Sequence, residues 1–348
     1  MPAAEVTAPD VVEVVGQAAA AGHTLLPVSL AHAIAPPTRW QAAVAAGQVA
    51  AVPAGSGAAL GYARPELAET DEQLAAVLGR MLDERRVGCV VGPAGRGRTA
   101  AVERRAGEAR AAGAQVVVVD DAERDDVVSV LQILAGVPAD ALVLLAGDLD
   151  TLPAGGPGQV LADLVAAGRC PVATAANDDD RPAALAAAAA AIRQGRLVSR
   201  DPADRSLVVV TANDEADAVR RTGQLVATSI PRAFGLTTAE IAVLTPVVRG
   251  PCGRDALAAV LADVEVVTVH EAVGRRWPAV VLLLGPRCAG VLSRPLLVAA
   301  TATPTSHLSV VHGVGGDLPL ALAQVTGVRR ETVLGHRLRD GDGVDTPQ

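Results

Sequence analysis

From residue 87 onward, short runs of β-branched and other apolar residues alternate with alanine-rich segments whose apolar positions recur at helical spacing. Runs of roughly four to six apolar residues between helices are typical of parallel strands that are buried on both faces of a sheet. The predicted strands are Val87–Val91, Val116–Val119, Ala141–Ala146, Leu207–Thr211, Ile241–Thr245, Val264–Val269, Ala279–Leu284 and Leu308–Val311. This alternation predicts an α/β fold built on parallel sheets.

The first 85 residues have a different pattern, in which apolar positions keep helical spacing and no strand is predicted. Gly22 and Pro27 interrupt the first helical stretch. Thr70 is predicted as the N-cap of a later helix, with Gln73 completing a capping box. We therefore expect residues 1–85 to form a small helical region.

Half of the residues are hydrophobic, yet no apolar run approaches the ~18 residues that span a bilayer. The N-terminal residues also lack the basic start and apolar centre of a signal peptide. We therefore expect a soluble cytoplasmic protein with no membrane partner. The four cysteines are far apart and form no CxxC pair, which predicts neither a zinc site nor a disulfide framework. Cys89 and Cys170 are expected to be small buried hydrophobes in strands.

The charged and aromatic residues bear on nucleic-acid binding. The chain has no lysine, its net charge is −8, and aromatic residues make up 1% of it. Proteins that track single-stranded DNA usually combine a basic groove with aromatic stacking platforms. Binding of single-stranded DNA is therefore disfavoured, although a local arginine stripe remains an alternative.

A glycine-rich segment between a predicted strand and a predicted helix has the form of a phosphate-binding loop. In such loops, backbone amides at a helix N-terminus cradle anionic oxygens. The candidate nucleotide-binding residues are Gly92, Gly95, Gly97, Arg98 and Thr99, and the Thr99 hydroxyl would hold magnesium. Arg98 occupies the lysine position of the motif, and a planar guanidinium does not replace a compact ammonium conservatively. The alternative is a glycine-rich turn without a ligand.

Acidic residues follow two of the predicted strands. Asp120 and Asp121 come directly after Val116–Val119, and Asp148 follows the next strand. Asp120 is the expected second magnesium contact, and Asp121 stands where a residue would orient the attacking water. The alternative is a strand end that carries solvated carboxylates.

Several segments occur in the order found in RecD-like superfamily 1 DNA helicases, a family that this chain resembles. Its Asp148-Leu-Asp-Thr-Leu-Pro153 resembles the family's Gly-Asp-x-x-Gln-Leu-Pro segment. Further resemblances are Gly22–Pro27, Gly92–Thr99, Gly156–Leu161, Gly168–Val172, Ile230–Leu236, Leu244–Gly253, Thr268–Arg276 and Leu296–Ala302. The resemblance implies two RecA-like P-loop NTPase domains with parallel sheets, ATP and Mg²⁺ as cofactors, and ATP-dependent DNA unwinding.

The chain departs from the family at nearly every position that carries the chemistry. The changed positions are Arg98, Asp121, Thr151, Glu271, Val273, Arg276 and Ala302. Thr151 replaces a γ-phosphate-sensing glutamine, Glu271 a lysine, and Ala302 an arginine that stabilises transition-state charge. Loss of one such group typically slows catalysis by ~10²–10³-fold. We therefore regard Asp120, Asp121 and Asp148 as vestigial.

These departures predict a degenerate homologue that does not hydrolyse ATP efficiently. It would act as a structural or regulatory component, through a protein partner or self-association, and would bind ATP and Mg²⁺ weakly if at all. The alternative is an active ATP-dependent DNA helicase or translocase in DNA repair or recombination.

Four regions are expected: a helical N-terminal region at 1–85, a shortened first RecA-like domain at 86–198, a second at 199–330, and a tail at 331–348. His23 and His270 are each expected to be ordinary hydrogen-bonded histidines. The acidic stretch 177–181 is expected to be exposed. The tail arginines are expected to belong to a solvated terminus, and they are Arg329, Arg330, Arg337 and Arg339.

Overall fold

The structure is a computed structural model that describes residues 10–54, 58–197, 204–261, 263–323 and 330–340. The chain divides into two compact units. Unit 1 comprises Met1–Leu149, Pro153–Asn177 and Arg329–Gln348, and unit 2 comprises Asp150–Leu152 and Asp178–Val328. Among the described residues, no helix is both long and apolar enough to cross a bilayer.

Unit 1 begins with helices and a small sheet and continues with an α/β layer. Its helices are α1 (Val11–Ala20), α2 (Val28–Ile34), α3 (Pro37–Ala45), α4 (Pro65–Asp83), α5 (Arg96–Ala111), α6 (Val127–Ala135) and α7 (Val160–Ala167). Its strands are β1 (Leu26–Pro27), β2 (Ala50–Pro53), β3 (Ala59–Ala63), β4 (Val87–Val91), β5 (Val116–Val119), β6 (Leu142–Gly147) and β7 (Val172–Thr174).

The α/β layer of unit 1 is a parallel sheet with the strand order β5-β6-β4-β7. The strand that leads into the glycine-rich loop, β4, is central, and the strand that ends in acidic residues, β5, lies at one edge. Buried side chains from β4 and β6 pack against α4, α6 and α7 in one apolar core. The carboxyl ends of these parallel strands meet at one edge of the sheet, which positions the candidate site.

Unit 2 is a second α/β layer. Its helices are α8 (Ala183–Arg193), α9 (Glu215–Gln224), α10 (Ile230–Phe234), α11 (Arg254–Val260), α12 (Val269–Ala272), α13 (Arg294–Ala302) and α14 (Asp317–Ala323). Its strands are β8 (Leu207–Thr211), β9 (Ile241–Thr245), β10 (Glu265–Thr268), β11 (Trp277–Leu284) and β12 (Pro304–His312). They form a parallel sheet in the order β10-β9-β11-β12-β8. The predicted fold class, two α/β domains with parallel sheets, is confirmed.

The N-terminal region is not purely helical, because β1, β2 and β3 form an antiparallel sheet in the order β1-β3-β2. The predicted N-cap at Thr70 is also wrong. Thr70 lies inside α4, which begins at Pro65, and its hydroxyl donates to the carbonyl of Glu66 at 2.7 Å. Proline is favoured at the first helical position, because the amide hydrogen that it lacks would have no partner there. Pro65 therefore starts the helix earlier than the Thr-x-x-Gln pattern indicates.

The chain ends in a further helix, α15 (Val333–Asp340), which belongs to unit 1 and packs against α4 and α7. The Arg330 guanidinium donates to the carbonyls of Ala154, Gly156 and Gly158 at 2.6–2.8 Å. Arg337 forms an ion pair with Glu72.

The prediction of a solvated tail is therefore wrong for these two arginines, because their partners lie on segments far away in the sequence. Arg339 is exposed as expected, whereas Arg329 lies outside the described residues.

The units also divide the chain at places other than the expected region boundaries. The expected first domain ends at 198, but the long segment of unit 2 begins at Asp178, because α8 packs against α13 and β12. The expected tail contains α15, whose apolar side chains Leu334 and Leu338 join the core of unit 1.

Candidate functional site

The glycine-rich loop connects the end of β4 with the start of α5. Gly92 and Gly95 have φ values of +149° and +153°, which residues with a side chain rarely adopt. The amide of Gly92 donates to the carbonyl of Gly147 at 2.9 Å, so the loop leaves the sheet beside the end of β6. The structure thus places the loop between a strand and a helix N-terminus, as the sequence predicts.

A glycine is required at position 97 because the segment at Ala176 packs closely against it. A Cβ atom at this position would lie 2.0 Å from the carbonyl oxygen of Ala176, just beyond β7. A side chain is therefore excluded at Gly97 whether or not the loop holds a ligand. This contact favours the alternative of a structural turn for this one glycine.

Arg98 is the central cation of the site, and its side chain is only 6% exposed. One guanidinium nitrogen, Nη2, donates to Oδ1 of Asp121 and lies 3.1 Å from Oδ1 of Asp120. The other, Nη1, is buried and has no hydrogen-bond partner among the described residues. The residue at the lysine position of the loop is therefore paired with the acidic end of β5.

The two carboxylates that pair with Arg98 differ in exposure. The side chain of Asp120 is 64% exposed and that of Asp121 is 33% exposed. Asp121 adopts a left-handed backbone conformation with φ +52°, and its amide donates to Oδ1 of Asp120 at 3.0 Å. Aspartate tolerates this conformation better than most residues with a side chain, and here it turns Asp121 towards the guanidinium.

Sequence analysis missed Glu123, which lies in the turn after Asp121. Its Oε2 accepts a hydrogen bond from the amide of Asp148 at 3.2 Å. Burial raises the pKa of Glu123 to about 7, with Asp121 raising it further and Arg98 opposing the shift. The signal in the sequence is a glutamate shortly after the end of β5, but its partial burial depends on the close approach of Gly147, where a Cβ would lie 2.2 Å from Oε2.

The two residues expected to hold magnesium, Thr99 and Asp120, are not arranged to bind it. The Thr99 hydroxyl donates back to the carbonyl of Gly95 at 3.2 Å, as a residue in the first turn of a helix commonly does. Asp120, the other expected ligand, lies beside the Arg98 guanidinium, which would repel a divalent cation. Among the described residues, no group of three or more His, Cys, Asp or Glu side chains is arranged to hold a metal ion.

The last of the predicted acidic site residues, Asp148, is 6% exposed and follows β6. The structure therefore brings the loop, Asp120, Asp121 and Asp148 to the carboxyl edge of one sheet. It adds Glu123 to them.

In unit 2, the predicted charge reversal at Glu271 has a local structural role. Oε2 of Glu271 accepts from the amide and the hydroxyl of Thr268 at 2.7 and 2.9 Å, and the amide of Glu271 donates to that hydroxyl at 3.2 Å. This is a capping box at the start of α12. Glu271 also forms an ion pair with Arg254.

In the acidic stretch at 177–181, Asn177, Asp178 and Asp180 are exposed as expected, whereas Asp179 and Arg181 are not. The Asp179 carboxylate and the Arg181 guanidinium form a mostly buried ion pair at 2.6 Å. Arg181 also donates to the carbonyls of Thr301 and Pro304 at 2.6 and 3.1 Å, at the C-terminal end of α13. A cation is favourable at a helix C-terminus. Arg181 thus supplies a charge beside Ala302, where the resemblance places an arginine.

The two histidines lie in different settings. Nδ1 of His23 accepts from the amide of Glu331 at 3.0 Å, which confirms the expected hydrogen-bonded histidine. His270 is exposed on α12.

Comparison with known proteins adds little. No protein-family model matches the chain, and no curated protein does. Among solved structures, the arterivirus nonstructural protein 10 helicase is 15% identical, with 79% of this chain and 73% of that one covered, at a TM-score of 0.35. The structure of that helicase in complex with DNA is also 15% identical, with 79% of this chain and 73% of that one covered, at a TM-score of 0.34.

The PRRSV helicase is 13% identical, with 77% of this chain and 62% of that one covered, at a TM-score of 0.34. Similarities this low carry no argument about the function of this chain.

Proposed function

We propose that this chain is a degenerate, cytoplasmic relative of RecD-like helicases that does not hydrolyse ATP efficiently and acts as a structural or regulatory partner. The observation that carries this proposal is the internal pairing of Arg98 with Asp120 and Asp121. These groups stand at the positions where a phosphate-binding cation and two catalytic carboxylates would be needed.

Phosphoryl transfer is catalysed chiefly by charges held in position around the γ-phosphate. In this site the positive charge of Arg98 is already opposed by two carboxylates. A nucleotide would have to compete with Asp121 for the guanidinium, and its phosphates would then lie near negative charges. Efficient turnover is therefore disfavoured on electrostatic grounds.

Weak nucleotide binding remains part of the proposal. Helix α5 is 16 residues long, and the amides at its start carry the partial positive charge of a helix N-terminus. This charge attracts phosphate without the help of magnesium.

The pairing of Arg98 with Asp121 leads to a test that distinguishes a chain that binds ATP weakly from an active helicase. Replacing Asp121 by Asn removes the competitor for Arg98, so Asp121→Asn is expected to tighten ATP binding several-fold, whereas Arg98→Ala weakens it. Binding is measured by isothermal titration calorimetry with and without Mg²⁺. Asp140→Asn is the matched control, because Asp140 is exposed on unit 1 and its replacement removes the same charge.

ATP hydrolysis is measured alongside, with and without single-stranded DNA. We expect no DNA-stimulated turnover in the native chain or in Arg98→Lys, since Thr151 and Ala302 are also changed. A turnover on the order of 1 s⁻¹, within the usual enzyme range, that disappears in Asp120→Ala would establish the active helicase instead. Looser ATP binding by Asp121→Asn would likewise contradict the competition argument.

The proposed mode of action, through a protein partner or by self-association, rests on the net charge of −8 and on the acidic groups at the loop. Analytical ultracentrifugation of the purified chain tests self-association. A titration with single-stranded DNA at physiological salt tests the alternative. Submicromolar DNA binding that weakens steeply with salt would contradict the proposal.

A further inference from the structure

One face of the sheet in unit 2 is incompletely covered by its helices. A cavity of about 300 Å³ lies there, between β8, β11 and β12 on the sheet side and α8, α13 and α14 on the helix side. Its sheet floor is formed by alternate residues that point to one face, namely Leu207, Val209, Leu282, Leu308 and Val310.

The cavity follows from the composition of α8. The sequence of this helix is AALAAAAAAIR, and it lines the cavity with Ala188 and Ile192. The methyl group of Ala188 does not fill the space that a leucine would fill at the same position.

The cavity opens beside the edge strand β8. Two apolar side chains of its wall are substantially exposed, Val209 at 40% and Leu197 at 52%. Apolar side chains that line a concave space and remain in contact with water are typical of ligand-binding pockets.

Two polar side chains, His312 and Thr301, are among the described residues that line the cavity. Nδ1 of His312, the last residue of β12, is buried and has no hydrogen-bond partner among the described residues. Burial lowers the pKa of His312, so the imidazole is neutral at pH 7. The other polar side chain, Thr301, is already bonded, because its hydroxyl donates to the carbonyls of Leu297 and Val298 at 2.9 and 3.1 Å.

We propose that this cavity binds a small, uncharged, mainly apolar molecule. The volume lies at the lower end of the range for small-molecule pockets, roughly 300–1,000 Å³. Dry cavities lined by aliphatic side chains take up aromatic molecules of matching size. A charged ligand does not fit, because no charged side chain is among the described residues that line the wall. The site is independent of the loop at Arg98, which lies in unit 1.

The probe for this site is N-phenyl-1-naphthylamine, an uncharged aromatic amine whose fluorescence rises in an apolar environment. We expect saturable one-to-one binding by the full chain. Ala188→Leu fills the cavity from the helix side and is expected to weaken binding at least tenfold. Ala187→Leu is the matched control, because the neighbouring Ala187 is exposed on the same helix, and it is expected to leave binding unchanged.

A second filling variant, Val209→Phe, guards against misfolding of Ala188→Leu, because its side chain enters the cavity from the exposed edge strand.

Two outcomes would overturn the proposal. One is the absence of saturable binding by the native chain, which would mean that the chain closes the space itself. The other is unchanged binding in both Ala188→Leu and Val209→Phe, which would place the probe elsewhere.

Discussion

Two carboxyl groups of unit 1, those of Asp71 and Glu123, have pKa values raised to about 7 and make a definite prediction about stability and pH. Asp71 is fully buried, and its Oδ2 accepts from the amides of Val333 and Leu334 at 3.1 and 3.3 Å, at the start of α15. Burial raises the pKa of Asp71 from 3.8 to about 7, and the nearby Asp163 raises it further, against the hydrogen bonds from Thr24 and the two amides.

A raised pKa in the folded state means that the native chain holds a proton that the unfolded chain has already released. The associated stability is fully present below pH 3.8 and is lost as the pH rises through about 7. Integrated from pH 5 to pH 8, the difference in proton binding by Asp71 amounts to about 3 kcal/mol of lost stability. Glu123, whose pKa is raised from 4.5 to about 7, adds a similar loss over the same interval.

The perturbation is Asp71→Asn, which keeps the size of the side chain and removes its titration. We expect the native chain to be destabilised by about 5 kcal/mol from pH 5 to pH 8, and the variant by about half as much. The slope with pH is decisive, because the amide group that the substitution introduces changes the absolute stability by its own contacts. Glu123→Gln should remove the other half of the slope.

The assay is urea unfolding at pH 5, 6, 7 and 8, followed by tryptophan fluorescence. Trp40 is fully buried in unit 1, and Trp277 lies in unit 2, so a Trp277→Phe background isolates unit 1. His307 and His312, whose pKa values are lowered by burial, lie in unit 2 and would shift stability in the opposite direction. A native stability that stays constant from pH 5 to pH 8, or an Asp71→Asn slope equal to the native one, would refute the reasoning.

Two further predictions concern the loop and the capping box. Gly97→Ala forces a Cβ against the carbonyl of Ala176 and is expected to lower the free energy of unfolding in urea by about 1–3 kcal/mol. The control, Gly107→Ala, lies on the same helix with open space around it and should raise that free energy by about 1 kcal/mol. Equal effects of the two substitutions would contradict the packing argument. Glu271→Ala removes the acceptor for Thr268 and should lower the free energy of unfolding by about 1 kcal/mol, measured from the unfolding transition of Trp277. An unchanged free energy of unfolding would mean that the capping box is not stabilising.

Most strands of the two parallel sheets could be predicted from the sequence because the signal for them is local. The predicted bounds Val87–Val91, Val116–Val119, Leu207–Thr211 and Ile241–Thr245 agree residue for residue with β4, β5, β8 and β9. The strands β4 and β9 lie inside their sheets and are marked by a continuous apolar run. The edge strands β5 and β8 are only partly buried, but their runs of valine favour a strand as well.

The strands β1, β2, β3 and β7 were not predicted. They have two to five residues each, and several of these residues are exposed or are proline or glycine. Such segments become strands because a partner strand is present, as when Leu26 and Pro27 pair with Tyr62 and Gly61. Their local composition alone does not distinguish them from loops.

The candidate site divides in the same way. The sequence by itself determined the glycine-rich turn between β4 and α5 and the acidic end of β5, because backbone conformation and strand ends depend on nearby residues. Only the tertiary structure decided that Arg98 pairs with Asp121, that Glu123 is partly buried, and that α15 is held by Asp71. Charge pairing and desolvation depend on distances between side chains, and folding brings together groups as far apart in the chain as Asp71 and Val333.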